Sequence, residues 1–312
     1  MTKHFESMDG RRLAYQDTGG DGPAVLCLAG LIRNARDFAG LAAHLAPRYR
    51  VLRLDSRGRG LSEWADDPVA EYTVQIETQD AMRLLYHLGI KRTAVIGTSR
   101  GGILGMMMGA GAPGRLSCLV LNDVGPVIEP EGLAYIMSYL GRDPGFESFE
   151  VAAEALERNM GAAFPDLLPK QWLGFARTIY SEEDGRPGLS YDPRLREAVE
   201  AAMENAPADL WIFFDALRIL PAFTLMPGEP VPSQGELEQM GRDFEANGPK
   251  GLPILTIRGA SSNILSVETL AEMARRRPDM AHVTVANRGH VPFLDEPEAV
   301  TAIDEFLERH AT

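Results

Sequence analysis

The sequence predicts an α/β protein: a mostly parallel sheet with helices on both faces, interrupted once by a long helical insertion. Three observations predict it. Short apolar runs alternate with amphipathic segments through most of the chain. One of these runs, beginning at Thr93, breaks directly into a helical pattern at Gly97-Thr98-Ser99-Arg100-Gly101. The alternation then stops between residues 126 and 250, where helical patterns separated by Pro and Gly take over.

The elements follow in order. Asp9-Gly10 lies between two extended segments, Phe5 to Met8 and Arg11 to Tyr15, and predicts a hairpin of antiparallel edge strands. After a turn-rich stretch, Ala24 to Leu28 is an apolar strand that ends in Ala29-Gly30-Leu31 and leads into a helix near Ala35 to Leu45. Arg50 to Leu54 is the next strand, ending in Asp55-Ser56-Arg57-Gly58-Arg59-Gly60-Leu61-Ser62, and Val74 to Leu88 carries apolar residues at helical spacing.

The Thr93 strand then turns at Ser99 into a helix. That context reads as a nucleophile elbow, with Gly97 and Gly101 required where a β-carbon would meet the crossing chain. Gly102 and Gly105 let the helix lie close on the strand. Its N-terminal amides are thereby aimed at whatever bonds to Ser99.

A strand from Leu116 to Leu121 ends in Asn122-Asp123-Val124-Gly125-Pro126. Helices are expected at about Gly132–Leu140, Phe149–Met160, Leu168–Tyr180, Arg194–Asn205 and Ala208–Ile219, with no strand among them. Pro221 to Gly251 reads as a long polar excursion. The core resumes with a strand at Ile254–Ile257, Arg258-Gly259, a helix near Val267–Arg275, and a last strand, Ala281–Ala286. The expected organisation is a core of residues 1–125 and 251–312 and a helical cap of residues 126–250.

Composition excludes several classes. The formal charge of −13 repels a nucleic-acid backbone or an anionic membrane, and no basic run makes a local exception. Cys27 and Cys118 both fall in apolar strands, so a disulfide is not expected. The N-terminus lacks the apolar core of a signal peptide and no run is long enough to span a bilayer, which predicts a cytoplasmic protein. No Cys/His/carboxylate cluster has metal-ligand spacing, and no Gly-rich loop has the dinucleotide pattern.

A serine hydroxyl needs a base to become nucleophilic, and histidine has the ordinary pKa for that exchange. Of six histidines, only His290 occupies a strand-end loop, on the same edge of the sheet as Ser99. His44, His87 and His310 fall on helices, His282 within a strand, and His4 near the N-terminus. The backbone N–H groups of Leu31 and Arg100 are the natural donors for a developing oxyanion. Trp172, Trp211, Phe213 and Phe214 either line an acyl pocket or form ordinary core of the insertion. The Arg100 side chain either anchors the elbow or meets a substrate carboxylate, and the structural role is favoured.

Leu28 to Leu31, Asp55 to Ser62, Gly97 to Gly101, Asn122 to Pro126, Arg258-Gly259 and Gly289 to Phe293 together carry a resemblance to the α/β-hydrolase superfamily. It covers the core segments and the helical insertion. The resemblance implies an eight-stranded, mostly parallel sheet, a helical cap after the sixth strand, nucleophile Ser99, base His290, and no cofactor. Asp55 and Arg57 resemble the family's loop-pinning pair. Epoxide hydrolases and dehalogenases of the superfamily use an elbow aspartate, so Ser99 argues against those activities.

Two departures stand out. Ala29 occupies a place where many relatives carry histidine; because the oxyanion donor is a backbone amide, the hole can survive that change. Asn263 occupies the place where relatives usually put the triad aspartate, and an asparagine there lacks the charge that stabilises imidazolium, a loss of about 10⁴ in rate in serine proteases. Asp123 is the candidate replacement, because some relatives take their acid from that strand and the order Ser99, Asp123, His290 fits. Its plainer alternative is a structural cap on the loop. The expectation is a serine hydrolase of a small ester or lactone, acting through an acyl-enzyme. The nearest alternative is a carbon–carbon bond hydrolase of an aromatic-degradation type. A third, of another class, is a non-catalytic small-ligand-binding protein.

Overall fold

The computed structural model describes residues 1–205, 209–218, 233–235, 238, 242 and 251–312. Its strands are β1 (Thr2–Glu6), β2 (Arg12–Asp17), β3 (Ala24–Leu28), β4 (Arg50–Leu54), β5 (Thr93–Thr98), β6 (Leu116–Asn122), β7 (Tyr180–Glu183), β8 (Arg186–Leu189), β9 (Ile254–Gly259) and β10 (Ala281–Val285). Eight of them form one sheet in the order β1-β2-β4-β3-β5-β6-β9-β10. The β1–β2 and β2–β4 pairs are antiparallel and the rest parallel. This is the α/β-hydrolase fold expected from the sequence.

The central strands are apolar along their length because both faces are covered. Successive residues alternate between two cores, as a period of two requires. Leu26, Leu28, Val95, Leu119 and Leu121 face one core, which contains helices α3 (Val74–His87) and α4 (Arg100–Gly111). Val25, Cys27, Ala94, Ile96, Cys118 and Val120 face the other, against α1 (Ala39–Leu45) and the C-terminal helix Pro297–His310. Both cysteines are free and act as apolar filler there, and burial pushes their thiols up to about 12.

Helix α4 crosses the sheet at very short range. A β-carbon at Gly97 would strike the Gly101 carbonyl, and one at Gly101 would strike the Leu28 carbonyl. Those contacts are backbone, so no rotamer change relieves them.

Between β6 and β9 lie the helices Pro130–Tyr139, Phe149–Met160, Pro169–Ile179, Leu195–Asn205 and Trp211–Ala216. The strand-free expectation for this region fails at β7 and β8, which form an antiparallel ribbon. Its turn is Asp184-Gly185, with φ of 49° and 78°. Asp-Gly suits a turn with both φ values positive, so the signal was present in the sequence. Two smaller differences concern helix ends. The first predicted helix opens with a 3₁₀ turn, Ala35–Phe38, before α1. The Ala208–Ile219 expectation shortens to Trp211–Ala216, with residues 208 and 219 outside the described residues. Most of the Pro221–Gly251 excursion also lies outside them.

The insertion is fastened to the loop that follows β4. The Gly60 amide donates to the Ser190 carbonyl at 2.8 Å and the Asp192 amide to the Gly58 carbonyl at 2.8 Å. The Tyr72 hydroxyl donates to buried Asp192 at 2.6 Å.

Substituting Gly101→Ala is expected to destabilise the protein by about 3 kcal/mol or more in urea unfolding. Gly111→Ala, which meets open space at the end of the same helix, is expected to change stability by no more than about 1 kcal/mol, in the stabilising direction.

Candidate active site

The elbow holds Ser99 at φ 51° and ψ −118°, a region that residues with a side chain rarely occupy. Its amide donates to the Asn122 carbonyl at 2.9 Å, and its carbonyl accepts from the Gly102 amide at 2.8 Å. The side chain is left at the corner, at the N-terminus of α4. Here the loop after β10 meets it: His290 Nε2 lies 2.9 Å from Ser99 Oγ. His290 Nδ1 lies 2.8 Å from Asp123 Oδ2. The consistent tautomer has Nδ1–H donating to the carboxylate and Nε2 accepting from the hydroxyl.

Asp123 is fully buried just beyond the end of β6, with φ 55°. Its carboxylate also accepts from the Gly259 amide at 2.8 Å and from the Ser262 hydroxyl at 2.6 Å. Charge buried this deeply requires such partners. Ser262 is itself held, accepting from the amides of Ile264 and Leu265 at 3.2 and 3.1 Å. Asn263, by contrast, is exposed and takes no part in the contact with His290. Asn122 steadies the histidine loop, its Nδ2 donating to the Pro292 carbonyl at 3.0 Å. Neither the Ser262 bond nor the Asn122 bond was foreseen from sequence, although Asn122 opens the Asn122–Pro126 motif, because a single hydroxyl or carboxamide does not state which remote partner it meets.

Ser99 and His290 open into a cavity of about 730 Å³, whose wall also includes Leu31 and Asn263. Its aromatic lining includes Tyr135, Tyr139, Phe146, Phe175, Tyr180 and Phe293. Trp172, Trp211 and Phe214 are not among the lining residues, which corrects one of the two expectations for them. Trp172 is buried beside Phe164 inside the insertion, and Phe214 packs in the α4 core with Trp211 against its edge. Helical periodicity does not say which residue of a face meets the chamber: Phe175, three residues beyond Trp172 and in ring contact with it at 6.2 Å, reaches the cavity that Trp172 backs.

Arg100 begins α4, so its amide has no acceptor within the helix. Its side chain is structural, forming bonds of 2.8 and 2.9 Å to Glu77 of α3. Glu77 is buried and also accepts from Arg59 at 2.9 Å, while Arg59 Nε donates to the Leu31 carbonyl at 2.8 Å. One carboxylate therefore ties the elbow to the Leu31 loop. Burial opposes its charge, but the guanidiniums of Arg100 and Arg59 outweigh burial and lower Glu77 to about 2. Asp55 and Arg57 pin loops through separate partners: Asp55 accepts from the amides of Ala35 and Leu61, and Arg57 pairs with Asp80 and Asp9. Among the described residues, no group of three or more His, Cys, Asp or Glu could hold a metal ion, and no helix is long and apolar enough to cross a membrane.

An eight-stranded sheet with this strand order, a serine elbow and a histidine from the last strand's loop define an α/β-hydrolase-type protein. The sequence comparisons agree: a model of the alpha/beta hydrolase family matches residues 25–303, and the chain belongs to that family. The chain is 32% identical over 306 residues to the 3-hydroxybutyrate-oligomer hydrolase of Cupriavidus necator, covering 95% of this chain and 92% of that protein. It is 25% identical to the 2-(acetamidomethylene)succinate hydrolase of Mesorhizobium japonicum, covering 93% and 89%. A crystal structure of an alpha/beta hydrolase from Novosphingobium aromaticivorans superposes with a TM-score of 0.83 at 40% identity, covering 99% of this chain and 98% of the other.

Glu77→Gln leaves two guanidiniums without their shared counter-charge and is expected to cost about 3–5 kcal/mol of stability, read by chemical denaturation. The folded carboxyl titrates below its unfolded value, so the unfolded state binds more protons. The Glu77 contribution is complete above about 4.5 and is lost as pH falls through about 2.

Proposed function

We propose that the protein is a serine hydrolase that cleaves a small ester or lactone through an acyl-enzyme on Ser99. The observation that carries this reading is the continuous line Ser99–His290–Asp123, with contacts of 2.9 and 2.8 Å. His290 takes the hydroxyl proton as Ser99 Oγ attacks the carbonyl carbon. Asp123 holds the imidazole in the required tautomer and stabilises the imidazolium. The amides of Leu31 and Arg100 receive the oxyanion, His290 returns the proton to the departing alkoxide, and a water activated by the same base releases the acid.

The residues between β6 and β9 act in this reading as a cap that shapes the chamber and selects a small-molecule substrate. A non-catalytic binder is disfavoured, because it leaves the left-handed backbone at Ser99 without a use. Ester chemistry is further supported by the activity for which the Cupriavidus necator relative is named, since 3-hydroxybutyrate oligomers are joined by ester bonds. The linear 3-hydroxybutyrate dimer is therefore a suitable first substrate.

A fluorophosphonate is expected to modify Ser99, detected by peptide mass analysis, and Ser99→Ala is expected to abolish both labelling and ester turnover. Absence of labelling on the folded protein would refute the reading. Asp123→Asn is expected to lower kcat by about 10⁴, whereas Asn263→Asp is expected to change it modestly; full turnover by Asp123→Asn would remove the assignment of the acid.

A further inference from the structure

The chamber that contains Ser99 and His290 is also lined by Arg33, Arg36 and Arg142, with Asp37 and Asp295 the carboxylates on its wall. In a chain of formal charge −13, guanidiniums gathered there have a local cause. Their charges are not equally committed. Arg33 is matched by Asp37 in a bidentate pair at 2.8 and 2.6 Å and lies 4.9 Å over the Phe175 ring. Arg142 is exposed, where water screens its charge.

Arg36 differs from both. Among the described residues its guanidinium makes one hydrogen bond, from Nε to the neutral Asn34 carboxamide at 3.1 Å, and it forms no ion pair. It is also partly buried, and burial followed by the neighbouring Arg33 charge lowers its pKa, with Asp37 and Asp55 offsetting only part of that shift. Asn34 holds it in place. The same Asn34 oxygen accepts from the Arg36 amide at 3.1 Å, and the Asn34 Nδ2 donates to Ser190 Oγ at 3.2 Å. Arg36 and Tyr180 also border a smaller pocket of about 280 Å³, together with Phe149, Arg177 and Glu182.

A fixed, partly desolvated guanidinium with free N–H groups is suited to a carboxylate, which it can receive through two parallel bonds. We propose that Arg36 binds a free carboxylate of the substrate, making the preferred substrates esters whose acid or alcohol part carries a second, unesterified carboxyl group. This rests on the reading that Ser99 attacks an ester. Tyr139 and Tyr180 line the same wall, and their hydroxyls can add donors.

The test is a binding comparison on the Ser99→Ala protein, which cannot turn the ligand over. Calorimetry is run with the linear 3-hydroxybutyrate dimer as the free acid and as its methyl ester, at low and high salt. The acid is expected to bind at least about tenfold more tightly than the ester, with salt weakening only the acid. Arg36→Gln in that background is expected to bring the ratio to about one, and Arg36→Lys to retain part of the preference. Equal binding of acid and ester before any change at Arg36, binding of neither, or a preference that survives Arg36→Gln would overturn the proposal. Fluorophosphonate labelling of Ser99 is read separately, so a failure of the catalytic reading is distinguishable from a failure of carboxylate recognition.

Discussion

Helix α4 lies so close to strands β3 and β5 that neither Gly97 nor Gly101 has room for a side chain. From that backbone contact the geometry of the site follows. The chain has to reverse in one residue, which forces Ser99 into positive φ and lifts its hydroxyl off the end of the sheet. The same approach places Gly30 beside it, where a β-carbon would lie 3.7 Å from that of Ser99. The loop carrying Leu31 is therefore adjacent to the elbow through sheet packing.

Buried charge then fixes what packing leaves adjustable. A carboxylate in the interior is tolerable only when hydrogen bonds and opposite charges replace water. Glu77 meets that condition with two arginines, one from the elbow and one that grips the Leu31 carbonyl. Asp123 meets it with an amide, a hydroxyl and an imidazole. Each of these groups has few positions in which it is satisfied, so they behave as pins rather than as surface decoration.

The strands and the elbow were legible in the sequence because their signals are local: apolar runs bounded by turns, and glycines at fixed offsets from Ser99. His290 was legible for a related reason, as the single histidine in a strand-end loop. What failed was information that resides in three dimensions. The ribbon at Tyr180–Leu189 was overlooked although Asp184-Gly185 marks its turn, because the surrounding helical patterns dominated the reading. The aromatic wall was misplaced because Trp172 and Phe175 share one face of a helix, their rings 6.2 Å apart, and nothing in their spacing states which of the two reaches the cavity and which packs behind it. The bonds made by Glu77, Ser262 and Asn122 were invisible, since their importance comes from partners remote in the chain.

The location of Asp123 has an evolutionary consequence. On the proposed reading, in which the acid comes from the β6 end, the loop after β9 supports Asp123 through the Gly259 amide and the Ser262 hydroxyl and needs no charge at position 263. Asn263 sits on the chamber wall yet is bound to no partner in the Ser99 line. On that reading position 263 can vary with the size and polarity of the molecule admitted, so new specificities can arise there while Ser99, His290 and Asp123 stay unchanged.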